Sequence, residues 1–148
     1  MVYLGADHGG FELKEKIKKY LDRKNVSYED LGTYSRDSVD YPDYAFAVGE
    51  KVVDGDPEKN KGVMVCTTGL GACVAVNKIK GIRGAMGYSE EAIKKARLDV
   101  DVNVLCLGGG TNNHEEAVRI LEAFLETPFS EEERHARRVN KIKQKERQ

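Results

Sequence analysis

No stretch of this chain approaches the roughly 20 consecutive apolar residues that cross a bilayer, so a membrane-spanning role is not expected. Met1 runs straight into VYLG, with no basic segment and apolar targeting region. The expectation is a cytoplasmic location with no membrane partner. Excess charge is lacking too. Lys and Arg number 24 against 25 Asp and Glu, a net charge of -1, which argues against a general nucleic-acid binder but leaves room for a local basic patch. The three cysteines, Cys66, Cys73 and Cys106, have no close metal-ligand spacing, so free thiols in a reducing compartment are expected. Three histidines are too few for a metal centre unless carboxylates supply most ligands. His114 and His135 read as surface residues.

What is present is an ordinary globular chain of 148 residues, 40% hydrophobic and 33% charged, long enough for one domain, 1–148. Strand candidates fall at Val2 to Leu4, Val26 to Leu31, Gly62 to Val65, Gly81 to Met86 and Val102 to Leu107. Helical patterns lie between them. From Glu12, Leu13, Ile17, Tyr20 and Leu21 share one face with lysines and acids opposite. Pro42 marks the start of a helix that Gly55, Asp56 and Pro57 end. Further helices are expected over Ala72 to Lys78, over Glu90 to Leu98, and after a cap at Thr111 or Asn113 as far as Pro128. Ser130 and Glu133 have capping-box spacing, which predicts a last helix over 130–145. Its apolar residues are few, Ala136, Val139 and Ile142, so it is either a solvated tail or a surface for a partner subunit. Alternation of strands and helices predicts a Rossmann-like α/β/α sandwich with a five-stranded parallel sheet.

In such a sheet the loops beyond the strands' carboxyl ends share one edge, so GADHGG, CTTGLGA and LGGGTNN are expected to meet. That brings Asp7, His8, Cys66, Thr67 and Thr68 to one volume. Cys66 ends a strand just before a helix N-terminus, where a thiolate is favoured; the competing reading is a small buried cysteine, which also covers Cys73 and Cys106. Gly69 and Gly71 allow close approach to backbone N–H groups around Leu70 and Ala72 that suit an oxyanion or phosphate. The loop lacks a Walker ending and follows the third strand, so a nucleotide site is disfavoured. Arg134 and Arg138, four apart, share a helical face and can clamp a phosphate, or stand in solvent.

Together GADHGGFELKEKIKKYL, DLGTYS with SVDYPDYA, VCTTGLGACVAVNKIKGIRGA, DVNVLCLGGG and FLETPFSEEERHARRVNKI resemble the type B ribose-5-phosphate isomerases. That family also holds the subunits of galactose-6-phosphate isomerase. The resemblance covers nearly the whole chain in family order. It implies a cofactor-free, metal-free aldose-ketose isomerase of a phosphorylated sugar, dimeric or tetrameric, with an active site completed by the partner subunit. By the same resemblance Cys66 moves the proton, Thr68 supports it, and Gly69, Leu70, Gly71 and Ala72 steady the enediolate. Asp7, His8, Tyr44 and Thr67 line the sugar, and Arg134 and Arg138 of the adjacent subunit hold the phosphate.

The sequence departs from the family's pattern at several of these places. Asp99 and Val100 stand where members carry a ring-opening histidine and an asparagine that contacts the sugar. Thr67 replaces a glycine, Cys73 a frequent serine and Gly110 a common arginine. A carboxylate at 99 accepts a ring hydroxyl proton but is no donor at pH 7. Ribose 5-phosphate to ribulose 5-phosphate is the leading expectation. The alternatives are another sugar phosphate, of galactose-6-phosphate or tetrose type, and a binding subunit that has lost catalysis.

Overall fold

The computed structural model describes residues 1–56 and 58–148. The expected break at Pro57 lies outside them; its neighbours Gly55 and Asp56 do follow the second helix. Five strands, β1 (Val2–Ala6), β2 (Tyr28–Asp30), β3 (Lys61–Cys66), β4 (Gly84–Met86) and β5 (Val104–Gly108), form one sheet in the order β2-β1-β3-β5-β4. Every pairing is parallel. The helices are α1 (Phe11–Arg23), α2 (Tyr41–Val53), α3 (Leu70–Val76), α4 (Glu90–Val100), α5 (His114–Glu126) and α6 (Glu133–Glu146).

Right-handed crossovers and this strand order put α1, α4 and α5 on one face and α2 and α3 on the other. The two cores follow that division. Leu4, Leu13, Ile17, Leu105, Leu121 and Phe124 fill the first, and Val48, Val52, Met64, Val76 and Cys106 the second. All are at most 1% exposed, and burying one such side chain contributes about 1.5–3 kcal/mol. The sandwich and its five parallel strands are those the alternating pattern predicts.

Two local expectations shift and a third is decided. Lys14, assigned by periodicity to the solvated face of α1, is 0% exposed; it is paired with Asp30 and donates to the Thr33 carbonyl at 2.7 Å. It thereby ties α1 to the loop after β2. The capping box at Ser130 does not form: α6 begins at Glu133 behind an uncapped Glu132, and Ser130 lies before it. Asn113, not Thr111, caps α5 by accepting the Glu116 N–H at 3.0 Å.

The sense in which successive strands are added to the sheet reverses between β1 and β3, which opens a crevice at their carboxyl ends, flanked by β5. Helices of a parallel sheet run against the strands, so α4 ends at the opposite, amino-terminal edge. There Asp101 pairs with Arg83 at 3.3 Å and with Arg97 at 2.8 Å. α6 lies along that edge against α4 and reaches Gly81, whose N–H donates to Glu146 at 3.1 Å. His135 and Val139 are the buried residues of α6.

Candidate active site

The three glycine loops do meet. A Cβ added to Gly9 would overlap Thr67 Oγ1, and one on Gly109 would overlap the Gly9 carbonyl. Backbone bonds lock β3 to the loop after β5: Gly109 N–H donates to Cys66 O at 2.8 Å and Gly110 N–H to Thr67 O at 2.9 Å. Asp7, buried, receives the Gly10 N–H on Oδ1 at 3.1 Å, which braces the first loop from inside. His8 is exposed and its Nδ1 accepts the Val39 N–H at 3.2 Å. The neutral ring therefore carries its proton on Nε2, and the strap between β2 and α2 is drawn toward the crevice.

Cys66 sits at the centre, 4% exposed. Gly69 has φ +82°, a left-handed turn in which a side chain would press on the Leu107 carbonyl. That turn aims the Gly69 N–H at Cys66 Sγ, 3.1 Å away. That donor is already in place for negative charge that forms on the sulfur during a reaction. Thr68, expected to support the cysteine, accepts the Leu70 N–H on Oγ1 at 3.2 Å. Of the four amides in this loop, two are thus engaged. Among the described residues, the Gly71 and Ala72 N–H groups take no partner and remain for an anionic oxygen. Thr67, Thr68 and Leu70 are exposed. Tyr41 packs over Gly71, and half-buried Tyr44 lies under Gly32, both from the first turn of α2.

Asp99, Val100, Arg134 and Arg138 are elsewhere in the same chain. Cys66 pairs in register with Gly108 at the carboxyl edge, whereas Gly62, at the start of β3, donates to Asn103 O at 2.9 Å. Four strand residues separate these edges by roughly 13 Å, and the last turn of α4 lies beyond. Arg134 and Arg138 are exposed on α6, and Val100 lines a shallow hollow with Ile142 and Ala96. The structure therefore places the two groups of expected site residues on opposite edges of one chain. A cavity of about 560 Å³, lined by Lys80, Arg83, Lys143, Glu146 and Arg147, also belongs to the amino-terminal edge and does not reach Cys66.

Three residues read as unremarkable have more definite settings. His135, expected at the surface, is 7% exposed; its Nδ1 is 2.7 Å from Ser130 Oγ and its Nε2 3.5 Å from Asp99 Oδ1. The signal was in the spacing, since 135, 139 and 142 fall on one helical face with Val139 and Ile142. Cys73, half-buried, lies beside fully buried Cys106. The hydrogen bond from Cys106 draws the Cys73 thiol down to about 7; that bond, with burial, pushes Cys106 well above the ordinary thiol range. His114, likewise expected at the surface, is half-buried, with Nε2 2.8 Å from Gly109 O.

Residues 2–142 match the ribose/galactose isomerase family. A ribose 5-phosphate isomerase from Thermotoga maritima superposes with a TM-score of 0.91 at 42% identity, over 97% of both chains. The ribose-5-phosphate isomerase B of Mycoplasma genitalium, solved with bound ribulose-5-phosphate, gives 0.95 at 37% identity, over 99% of this chain and 96% of that one. The ribose-5-phosphate isomerase B of Mycolicibacterium paratuberculosis is 36% identical over 147 residues, 99% of this chain and 91% of its own.

Proposed function

We propose that this chain, which belongs to the ribose/galactose isomerase family, interconverts an aldose phosphate and its ketose, with ribose 5-phosphate and ribulose 5-phosphate as the first pair. Cys66 thiolate takes the proton from the carbon beside the aldehyde. The electrons move onto the carbonyl oxygen, giving an enediolate whose oxygens face the Gly71 and Ala72 N–H groups. The hydroxyl proton on that carbon passes to the former aldehyde oxygen, and the thiol returns its own proton to the former aldehyde carbon, leaving the ketone on the neighbouring carbon. His8 and Tyr44 line the sugar's path.

The phosphate is held by Arg134 and Arg138 of a second copy, because these lie on the edge away from their own chain's Cys66. Exposed apolar residues support that pairing. Leu70 and Val74, at 61% and 64% exposure, form a stripe beside the crevice, while Val100 and Ile142 accompany the opposite half-site. A two-fold dimer sets one pair against the other. The ribulose-5-phosphate held by the Mycoplasma genitalium relative supports the choice of sugar. Three free thiols suit a reducing, cytoplasmic setting.

The observation that carries the reading is the Gly69 N–H on Cys66 Sγ beside two unpartnered amides. Four-, five- and six-carbon aldose and ketose phosphates, assayed with the wild type and Cys66→Ala, test it. Turnover of ribose 5-phosphate that vanishes in the variant is expected. Equal turnover in both proteins rules out the cysteine base, and binding without turnover favours a non-catalytic subunit.

A further inference from the structure

His135 alone among the histidines is buried, on a helix whose neighbouring Arg134 and Arg138 are exposed. Its ring is held from both sides. Ser130 Oγ accepts the Glu132 N–H at 3.3 Å, so its own hydrogen is free to go to His135 Nδ1, 2.7 Å away. The proton of the neutral ring then sits on Nε2, facing Asp99 Oδ1 at 3.5 Å. Other charges bear on the pair: Glu132 Oε2 is 3.2 Å from Nδ1 and shared with Arg134 at 3.6 Å, and Lys95 Nζ is 3.5 Å from Asp99 Oδ2.

The frame around this chain of groups is fixed. Ser130 N–H donates to Leu98 O at 3.2 Å, and Arg97 Nε donates to Thr127 O at 2.9 Å. Arg97 also bonds the Val102 carbonyl at 2.7 Å. These bonds tie the end of α4 to the segment leading into α6. The Asp99 side chain is one-third exposed, with Oδ1 toward the imidazole and Oδ2 toward the Lys95 ammonium.

We propose that His135 is a positioning residue: its Nε2 edge, 3.5 Å from Asp99 Oδ1, orients the Asp99 carboxylate as the base that opens a cyclic sugar phosphate bound between two copies of the chain. The inference rests on the shared-site isomerase reading and deepens it. In the step, Asp99 takes the proton of the anomeric hydroxyl. The bond from the anomeric carbon to the ring oxygen breaks, its electron pair going to that oxygen, and the carbonyl forms. The same proton then passes from the Asp99 carboxyl to the ring oxygen, so the carboxylate is regenerated and nothing else is consumed. The imidazole holds one orientation of the carboxylate throughout.

Steady-state kinetics with ribose 5-phosphate on the assembled protein test this. His135→Ala and Asp99→Asn are each expected to lower kcat about 10- to 100-fold with KM within about three-fold. His135→Gln keeps an N–H near the Nε2 position and restores most of the loss. Asp99→Asn combined with His135→Ala is no worse than either alone, since the two act as one unit. Ser130→Ala, which frees Nδ1 without emptying the helix packing, lowers kcat in the wild-type background and has no effect in Asp99→Asn. Losses that multiply, a loss confined to KM as for a phosphate contact, or an unchanged kcat overturns the inference. Turnover that depends on Cys66 but is untouched by Asp99→Asn overturns this inference alone. A wild type that turns over no sugar phosphate overturns the isomerase reading with it.

Discussion

The Gly69 amide stands 3.1 Å from Cys66 Sγ, and the left-handed turn at Gly69 is what aims it there. A thiolate formed in this crevice is met by a donor that the backbone has already positioned, so little rearrangement accompanies its formation.

Gly69→Ala should damage both stability and catalysis. Its φ of +82° costs an L-residue about 1–2 kcal/mol, and the added Cβ would lie 3.0 Å from the Leu107 carbonyl oxygen, which cannot swing away. A melting temperature lowered by a few degrees and a kcat reduced by more than tenfold are expected, with roughly unchanged KM. Full kcat in a folded Gly69→Ala protein would show that the amide does not support the thiolate.

The Lys14–Asp30 pair should act as a buried tie behind the crevice. Lys14→Met is expected to cost about 3 kcal/mol at pH 7, as for a buried ion pair that loses one partner. Burial works to raise the Asp30 carboxyl, but Lys14, the Gly32 N–H and Lys18 outweigh it and hold it below its ordinary value. A depressed carboxylate stabilises the fold above its unfolded value, near pH 4. That contribution is lost as pH falls through the lower folded value. Denaturant melts of wild type and Lys14→Met should therefore converge in acid and stand furthest apart at neutral pH.

Cys73 should be the pH-sensitive thiol outside the reacting centre. With its thiol near 7, its thiolate fraction rises as pH climbs from 6 to 8. Site-resolved mass spectrometry after brief iodoacetamide treatment should show Cys73 modification increasing several-fold over that range. Cys106, fully buried and shifted the other way, should stay unmodified.

The sheet, its direction and the convergence of three glycine loops were legible because strand-loop-helix alternation dictates them. Strand order was not: nothing local in β4 or β5 tells which lies beside β3. The Cys66 loop was legible as a strand-turn-helix unit, yet the Gly69 N–H on the sulfur was not, since only the left-handed φ of Gly69 aims it there. Lys14 misled because periodicity assigns a lysine to solvent and says nothing of an acid on the next strand. His135 misled for a related reason. Its partners Ser130 and Asp99 come from two segments that only tertiary packing brings together. The separation of Asp99, Arg134 and Arg138 from Cys66 follows from α4 running against the strands.

In the proposed isomerase, Cys66 of one copy works with Arg134 and Arg138 of another. The direct measurement is subunit complementation: Cys66→Ala mixed in equal amounts with the double variant Arg134→Ala, Arg138→Ala, under conditions that let subunits exchange. Each alone should turn over ribose 5-phosphate far below wild type. In the mixture, half the dimers carry one variant of each kind, and each of those rebuilds one intact site of two, so about a quarter of wild-type activity should return. Activity that stays at the sum of the separate variants would contradict a site shared between copies.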